Sequence, residues 1–222
     1  KFSYVAGHSV GEITAAALAG VITEVDALRL VRVRGLEMAK AAAASPSGMS
    51  AVLGGDRDVV LAAIAEAGLI AANDNGGGQI VAAGDLDALA SLAPEGARVR
   101  ALQVAGAFHT HFMSAAVEAF RDFASTITAS DPAVGVLSNR DGELLHSGNE
   151  ILSRIVSQVA NPVRWDLCMS TMQASGVTKA LEVAPAGTLV GLLKRAAEGI
   201  EGFAFKSPDD LAAANQFVSS KG

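Results

Sequence analysis

The sequence has a single cysteine, Cys168, so no internal disulfide can staple it, and no Cys/His grouping has metal-ligand spacing. Such a chain suits the reducing cytoplasm. Positive charge is also scarce: 17 Lys and Arg against 23 Asp and Glu leave a net charge of -6, whereas nonspecific nucleic-acid binding needs a basic surface to neutralise phosphates. The Ala-rich apolar runs are broken by charges every few residues, so none reads as a spanning helix and no membrane role is expected. Linkers, low-complexity tracts and fixed-period repeats are missing too, which leaves one domain, or one domain carrying a smaller inserted one. There is no basic-then-apolar leader: Lys1-Phe2-Ser3-Tyr4-Val5-Ala6 is too short for a signal peptide and reads as a strand. A strand at residue 2 followed by a catalytic-type turn by residue 9 leads us to expect further sequence upstream.

What the chain does have is apolar bulk: half its residues are hydrophobic and 18% are charged, enough for a large core. The opening strand ends at Gly7, Val10 to Ala19 has helical composition, and Thr23 can N-cap a helix to about Ala44, before Ser45-Pro46-Ser47-Gly48 punctuates the chain. From Met49 to about Val104 the pattern reads strand, helix, strand pair around Asn73-Asp74-Asn75-Gly76-Gly77-Gly78, helix, strand, close to a ferredoxin-like βαββαβ unit. A helix is expected from Thr110 to Ser125, a strand at Val134 to Ser138, a turn at Asp141-Gly142 and a helix from Ile151 to Gln158 that stops at Asn161-Pro162. A helix to Gly176, a strand over Thr178 to Val183 and a helix over Thr188 to Ala197 follow. This alternation predicts an α/β fold with a hydrolase-like parallel sheet covered on both faces. The expected division is a discontinuous large subdomain, 1–47 with 106–222, and an inserted ferredoxin-like small subdomain, 48–105, with the active cleft between them.

Gly7-His8-Ser9-Val10-Gly11 has the G-x-S-x-G pattern of a nucleophile elbow, and the strand before it and helix after it weigh against a plain loop. Ser9 is the candidate nucleophile, and the Val10 N–H at the start of the next helix supplies one half of an oxyanion hole. A serine hydroxyl needs a base, usually histidine near neutral pH. Of the four histidines, His8 must leave the turn in another direction and His146 lies in a polar stretch. His109 and His111 open the helix expected at Thr110, where helical spacing sets His109 with Phe112, Met113, Ala116 and Phe120, and His111 with Glu118 and Asp122. Core-facing His109 is therefore the candidate base, against the plainer reading of a satisfied core histidine.

Arg34 falls in a stripe of Ala27, Leu30, Val31, Met38 and Ala41, while Arg29, Arg32 and Lys40 lie on the polar side of the same helix. A guanidinium among apolar neighbours is costly unless it meets an anion, and its fork fits a carboxylate. An internal salt bridge, a snorkelling side chain and a clamp for a substrate carboxylate all remain open at this point.

Taken in order, Gly7 to Glu12, the Arg34 helix, Asn75 with Gln79, Gly106-Ala107-Phe108-His109-Thr110 with Met113, Gln158-Val159-Ala160-Asn161-Pro162-Val163-Arg164-Trp165 and the Pro185 to Arg195 segment resemble the malonyl-CoA:acyl carrier protein transacylases. The resemblance implies a ping-pong reaction: Ser9 takes malonate from malonyl-CoA and gives it to the phosphopantetheine thiol of an acyl carrier protein. It implies His109 as activator of Ser9, oriented by the main-chain carbonyl of Gln158, and Arg34 paired with the substrate carboxylate. His8, Met38, Phe108 and Asn161 would line the substrate, Phe108 being the malonyl-selective form of a position that is smaller where branched substrates are taken. No bound cofactor and no metal is implied, the coenzyme A thioester being a substrate. The partners would be malonyl-CoA and the carrier protein, the enzyme a cytoplasmic monomer, and the pathway fatty acid biosynthesis or polyketide synthesis. Two positions depart from the family pattern: Ala184-Pro185-Ala186 replaces Gly-Pro-Gly, and Gly76 stands where proline is common. The family's Gly-Gln-Gly loop, whose glutamine N–H completes the oxyanion hole, belongs upstream of the elbow and is not in this sequence.

Two rivals are a serine carboxylesterase or thioesterase of the α/β-hydrolase type and a catalytically impaired fragment that only docks a carrier protein. The first expects the order Ser, acid, His, and the acids between Ser9 and His109 lie mostly in the inserted unit. Retained Ser9, His109 and Arg34 weigh against the second.

Overall fold

The sharp breaks at glycine and the capping side chains set the frame. In the computed structural model, which describes residues 2–220, strand β1 (Tyr4–Val5) runs into the elbow and helix α1 (Gly11–Leu18). Thr23 then caps α2 (Glu24–Ala44), its hydroxyl accepting from the Asp26 N–H at 3.1 Å. The buried face of α2 is Leu30, Arg34, Met38, Ala41 and Ala42, one side of a 3.6-residue period; Val31, expected in that stripe, is 38% exposed.

Next come β2 (Gly48–Gly54), α3 (Arg57–Glu66), β3 (Ile70–Asp74), β4 (Gln79–Gly84), α4 (Leu86–Ser91) and β5 (Ala97–Ala101). Asp56 and Asp85 cap α3 and α4, each accepting two backbone N–H groups. The strands pair antiparallel in the order β5-β2-β4-β3, and their inner face with α3 and α4 buries Val52, Val60, Ile64, Leu69, Ile80 and Leu89.

A short 3₁₀ turn (His111–Met113) leads to α5 (Ser114–Ala124), β6 (Gly135–Leu137), β7 (Leu144–Leu145), α6 (Gly148–Gln158), β8 (Val163–Arg164) and α7 (Trp165–Ala174). The chain closes with β9 (Lys179–Val183), α8 (Thr188–Ala196), β10 (Glu201–Phe205), a 3₁₀ turn (Pro208–Asp210) and α9 (Leu211–Ser219). Helices α1, α2, α5 and α6 share one core with β6, whose largest buried member is Phe120.

The fold is mixed α/β, and the single parallel sheet expected from the alternation is not what forms. β1 pairs parallel with β6, β9 pairs parallel with β10, and among the described residues the two pieces share no backbone ladder. A side-chain cluster of Leu137, Trp165, Met169, Leu192 and Ile200 joins them, with Tyr4 and Ala180 packed against it. β8 leaves this region altogether and extends the other sheet, parallel to β3 at Asn73–Val163 and Asp74–Arg164. β7, β8, β10 and α9 were not anticipated; β7 and β8 are two residues each, too short for a period-2 pattern to register.

Loss of the Thr23 cap orphans an N–H at the start of the helix that carries Arg34. Thr23→Ala is expected to lower unfolding free energy by about 1 kcal/mol in urea titration, with the slope of the transition unchanged.

Candidate active site

Ser9 sits at φ 56°, a left-handed conformation that a non-glycine residue rarely takes. The turn is tight at Gly7, where a Cβ would lie 2.0 Å from the Gly11 carbonyl carbon and oxygen, so only glycine fits. At Gly11 a Cβ would meet nothing within 4 Å, so that glycine leaves space rather than permitting the turn. Val10 is the N-cap residue of α1, and its N–H makes no hydrogen bond among the described residues, so it can meet a developing oxyanion.

The Ser9 hydroxyl lies 2.7 Å from His109 Nε2, and His109 Nδ1 lies 3.0 Å from the Gln158 main-chain oxygen. A carbonyl only accepts, so Nδ1 carries the proton and Nε2 presents its lone pair to Ser9. The route by which His109 reaches the core differs from the helical periodicity expected for it. His109 precedes the 3₁₀ turn at φ 62°, and it is this left-handed break, held by Thr110 Oγ1 donating to the Ala107 carbonyl at 2.6 Å, that turns the ring inward. His111 is exposed and stacks on Phe112, and His146 is exposed. Burial pushes the His109 pKa down to about 4, with Arg34 and His8 adding to the effect and the Gln158 carbonyl opposing it. The ring is thus a neutral acceptor across the physiological range.

Arg34 is 8% exposed and donates through Nη2 to Ser9 Oγ at 3.0 Å and to Gln158 Oε1 at 3.4 Å. No carboxylate lies within ion-pair distance of it among the described residues, which removes the internal salt bridge left open by the sequence. Burial lowers its pKa to about 10, so it stays charged at neutral pH. Ser9, Arg34, Met38, Ala105, Phe108 and His109 line one cavity of about 330 Å³.

Two sequence-derived assignments land elsewhere. Asn161 is exposed and donates to the Ser157 carbonyl at 2.6 Å, finishing α6 rather than lining the cavity; a polar residue after a helix stop is drawn to the orphan carbonyls there. His8 turns away toward Trp165 and holds Asn75 Oδ1 at 2.8 Å, with Asn75 donating on to Gln79 at 3.1 Å, so it ties the elbow to the β3–β4 hairpin. Burial lowers the His8 pKa, the Asn75 bond opposing.

Glu12 and Asn139 were not foreseen as site residues. Glu12 is 4% exposed and takes the Asn139 N–H on one oxygen at 2.6 Å and Gln158 Nε2 on the other at 2.5 Å. Burial pushes its pKa up to about 7, against those two donors and the charges of Arg34 and Arg154. The signal for Glu12 was available, since it sits on the face of α1 with buried Ile13, Ala15 and Ala16, as Arg34 does on α2. Asn139 gave none, because its partners at Gly7 and Ser9 are about 130 residues away. Cys168 is buried and its thiol pKa is pushed up to about 12, so it is no competing nucleophile. Among the described residues no three His, Cys, Asp or Glu are grouped to hold a metal ion, and no helix is long and apolar enough to cross a membrane.

A fluorophosphonate, which reacts with an activated serine, tests the pair directly. His109→Ala should slow Ser9 labelling at least about 100-fold. In the intact protein the rate should fall in two stages on acidification. The first is a step of a few fold near pH 7, where a proton on Glu12 replaces one acceptor with a donor facing an N–H. The second is full loss near pH 4, where His109 protonates. A single limb at the ordinary histidine value near 6.5 would contradict the buried ring.

Residues 3–207 match the family described as the acyl transferase domain. The malonyl CoA-acyl carrier protein transacylase of Mycobacterium tuberculosis is 53% identical over 210 residues, covering 93% of this chain and 70% of that protein. The crystal structure of MCAT from Mycobacterium tuberculosis superposes with a TM-score of 0.91 at 52% identity, over 95% of this chain and 70% of that one. A malonyl-transacylase in complex with its holo type II PKS acyl-carrier protein superposes at 0.88 with 30% identity, over 97% of this chain and 73% of that one. With Ser9, His109 and Arg34 lining one cavity and nearly its whole length matched, the chain belongs to the acyl transferase domain family.

Proposed function

We propose that the chain transfers a malonyl group from malonyl-CoA to the phosphopantetheine thiol of an acyl carrier protein through a malonyl-Ser9 intermediate. The observation that carries this reading is Arg34: a buried guanidinium without a carboxylate partner, one hydrogen bond from the nucleophile at 3.0 Å and in the same cavity. In a malonyl ester on Ser9 the free carboxylate is two carbons from the ester carbonyl, a span that suits a cation touching Oγ itself. Transacylases that are 53% identical, and a relative solved with its carrier, support both the donor and the acceptor.

In the first half-reaction Ser9 Oγ attacks the thioester carbonyl and its proton passes to His109 Nε2. The oxyanion forms toward the Val10 N–H and the start of α1, and the C–S bond then breaks as the thiol leaves with the proton from His109. In the second half the carrier thiol gives its proton to His109, attacks the ester carbonyl and releases Ser9 Oγ, which recovers the proton. The histidine's orienting partner is the neutral Gln158 carbonyl, so the Ser–His–acid triad of the esterase reading is not assembled here. Arg34 is among the charges holding the His109 pKa down; a malonyl carboxylate would neutralise it and strengthen the base when the right substrate is seated. Phe108 and Met38 in the cavity wall would crowd a branched acyl chain.

We read residues 48–105 as a ferredoxin-like small subdomain inserted into a hydrolase-like large one, 1–47 with 106–222. The β5-β2-β4-β3 order and the cavity between Ser9 and Ala105 support that division. A monomer and a cytoplasmic setting complete the reading, the lone buried thiol suiting a reducing compartment.

Intact-mass analysis should show a malonyl adduct on Ser9 after incubation with malonyl-CoA and none on Ser9→Ala. Arg34→Ala should cut malonyl loading about 10- to 100-fold, as loss of a charged hydrogen bond does, while acetyl loading changes far less. An unchanged malonyl-to-acetyl ratio would refute the clamp.

A further inference from the structure

We infer that Asn139 and Glu12 are positioning residues of the acyl-transfer reaction, Asn139 clamping the strained elbow and Glu12 tying that clamp to the orienter of the base. Neither lines the cavity. Ser9 holds a strained left-handed backbone and keeps it only if its surroundings over-determine it. One side-chain amide bonds both ends of the turn. Asn139 Oδ1 accepts the Ser9 N–H at 2.7 Å, and Asn139 Nδ2 donates to the Gly7 carbonyl at 2.8 Å, so both ends of the turn are held. The amide has one workable orientation, because an N–H can only donate and a carbonyl only accept. Asn139 is fully buried, so a lost bond leaves a desolvated polar group with no water to replace it.

Glu12 then joins the two halves of the catalytic pair. One oxygen fixes the Asn139 backbone, hence the nucleophile; the other fixes the Gln158 side chain, whose residue presents its main-chain carbonyl to His109 Nδ1. Gln158 Nε2 also lies 3.0 Å from the Ser9 carbonyl, closing the ring. Around Glu12 stand Arg34 from α2, Arg154 from α6 and Cys168 from α7. Arg154 further locks the loop that carries Asn139, gripping Asp141 at 2.7 and 2.6 Å and Glu143 at 2.9 Å. The carboxylate thus sets the Oγ–Nε2 separation from beneath, through groups that touch neither substrate.

This inference rests on the acyl-transfer reading only for its name, and a fluorophosphonate tests it without any acyl substrate. Asn139→Ala and Glu12→Gln should each slow Ser9 phosphonylation about 100-fold per folded molecule, the cost of a small misplacement of reacting groups. Glu12→Gln should also erase the step near pH 7 while keeping the loss near pH 4. The double variant should be little slower than the slower single variant, since both act through one network. Ile64→Ala, in the distant core beside α3, serves as a control for stability and should label at the parental rate once folded. Parental rates in Asn139→Ala and Glu12→Gln, or an equal loss in Ile64→Ala, would overturn the inference. So would failure of both variants to fold where Ile64→Ala folds, which would make the network structural. If the parent is phosphonylated but takes no malonyl group, the proposed function fails and the positioning role is still decided by these rates.

Discussion

The contact on which the site depends is the 2.7 Å hydrogen bond between Ser9 Oγ and His109 Nε2, because it joins two backbones that each had to be forced into a left-handed conformation. Neither residue is glycine, and each stands in a turn that leads into a helix. At Ser9 the strand β1 is stopped by a glycine that nothing else can replace, and α1 begins before the chain can relax. At His109 the chain leaves the β5 side of the molecule through Gly106, whose Cβ would sit 2.9 Å from that of Ala42, so the histidine loop is pressed against α2. Helix α2 is therefore both the wall that compresses the base and the carrier of Arg34.

That arrangement concentrates uncompensated electrostatics in a small volume. Arg34 and Glu12 are both buried and do not touch; the side chain of Gln158 stands between them, accepting from the cation and donating to the anion. A direct ion pair would neutralise both charges and weaken the attraction the guanidinium can offer an anionic ligand. An amide spacer keeps the attraction partial. Arg34 thereby remains charged and oriented, yet still short of a full partner, which is the state the proposed carboxylate clamp requires.

Legibility from the sequence followed the range of the interactions. Local signals were read correctly where they decide structure: the Thr23 cap, the two helices of the β2–β5 unit, the elbow turn, and the stop of α6 before Asn161-Pro162. Arg34 was readable because a charge in an apolar stripe violates the helix's own period. His109 was chosen for a helical phase that it does not have; its inward turn comes from a backbone break the sequence does not advertise. Asn161 is exposed and satisfies the Ser157 carbonyl at the end of α6, a placement that the family pattern behind its expected substrate role does not specify. Asn139 lies after a strand in a polar turn, where an exposed asparagine is the ordinary expectation, and only the meeting of β1 with β6 brings it under Ser9.

That last pairing explains why the two parallel strands β1 and β6 matter more than their length suggests. Their ladder is two residues long, Tyr4 with Gly135 and Val5 with Val136, and contributes little cohesion by itself. What it does is fix register. β1 ends two residues before Gly7 and β6 two residues before Asn139, so the ladder delivers the elbow and its clamp to the same level of the sheet edge. A slip by one residue would turn alternate side chains to the other face and carry Asn139 away from the Ser9 N–H. The side chains that prevent such a slip are the buried Val136 and Leu137, each committed to a different core, one on either face of the strand. Register in this short strand is therefore specified by packing on both sides, and the catalytic geometry inherits its precision from two apolar residues that have no chemistry of their own.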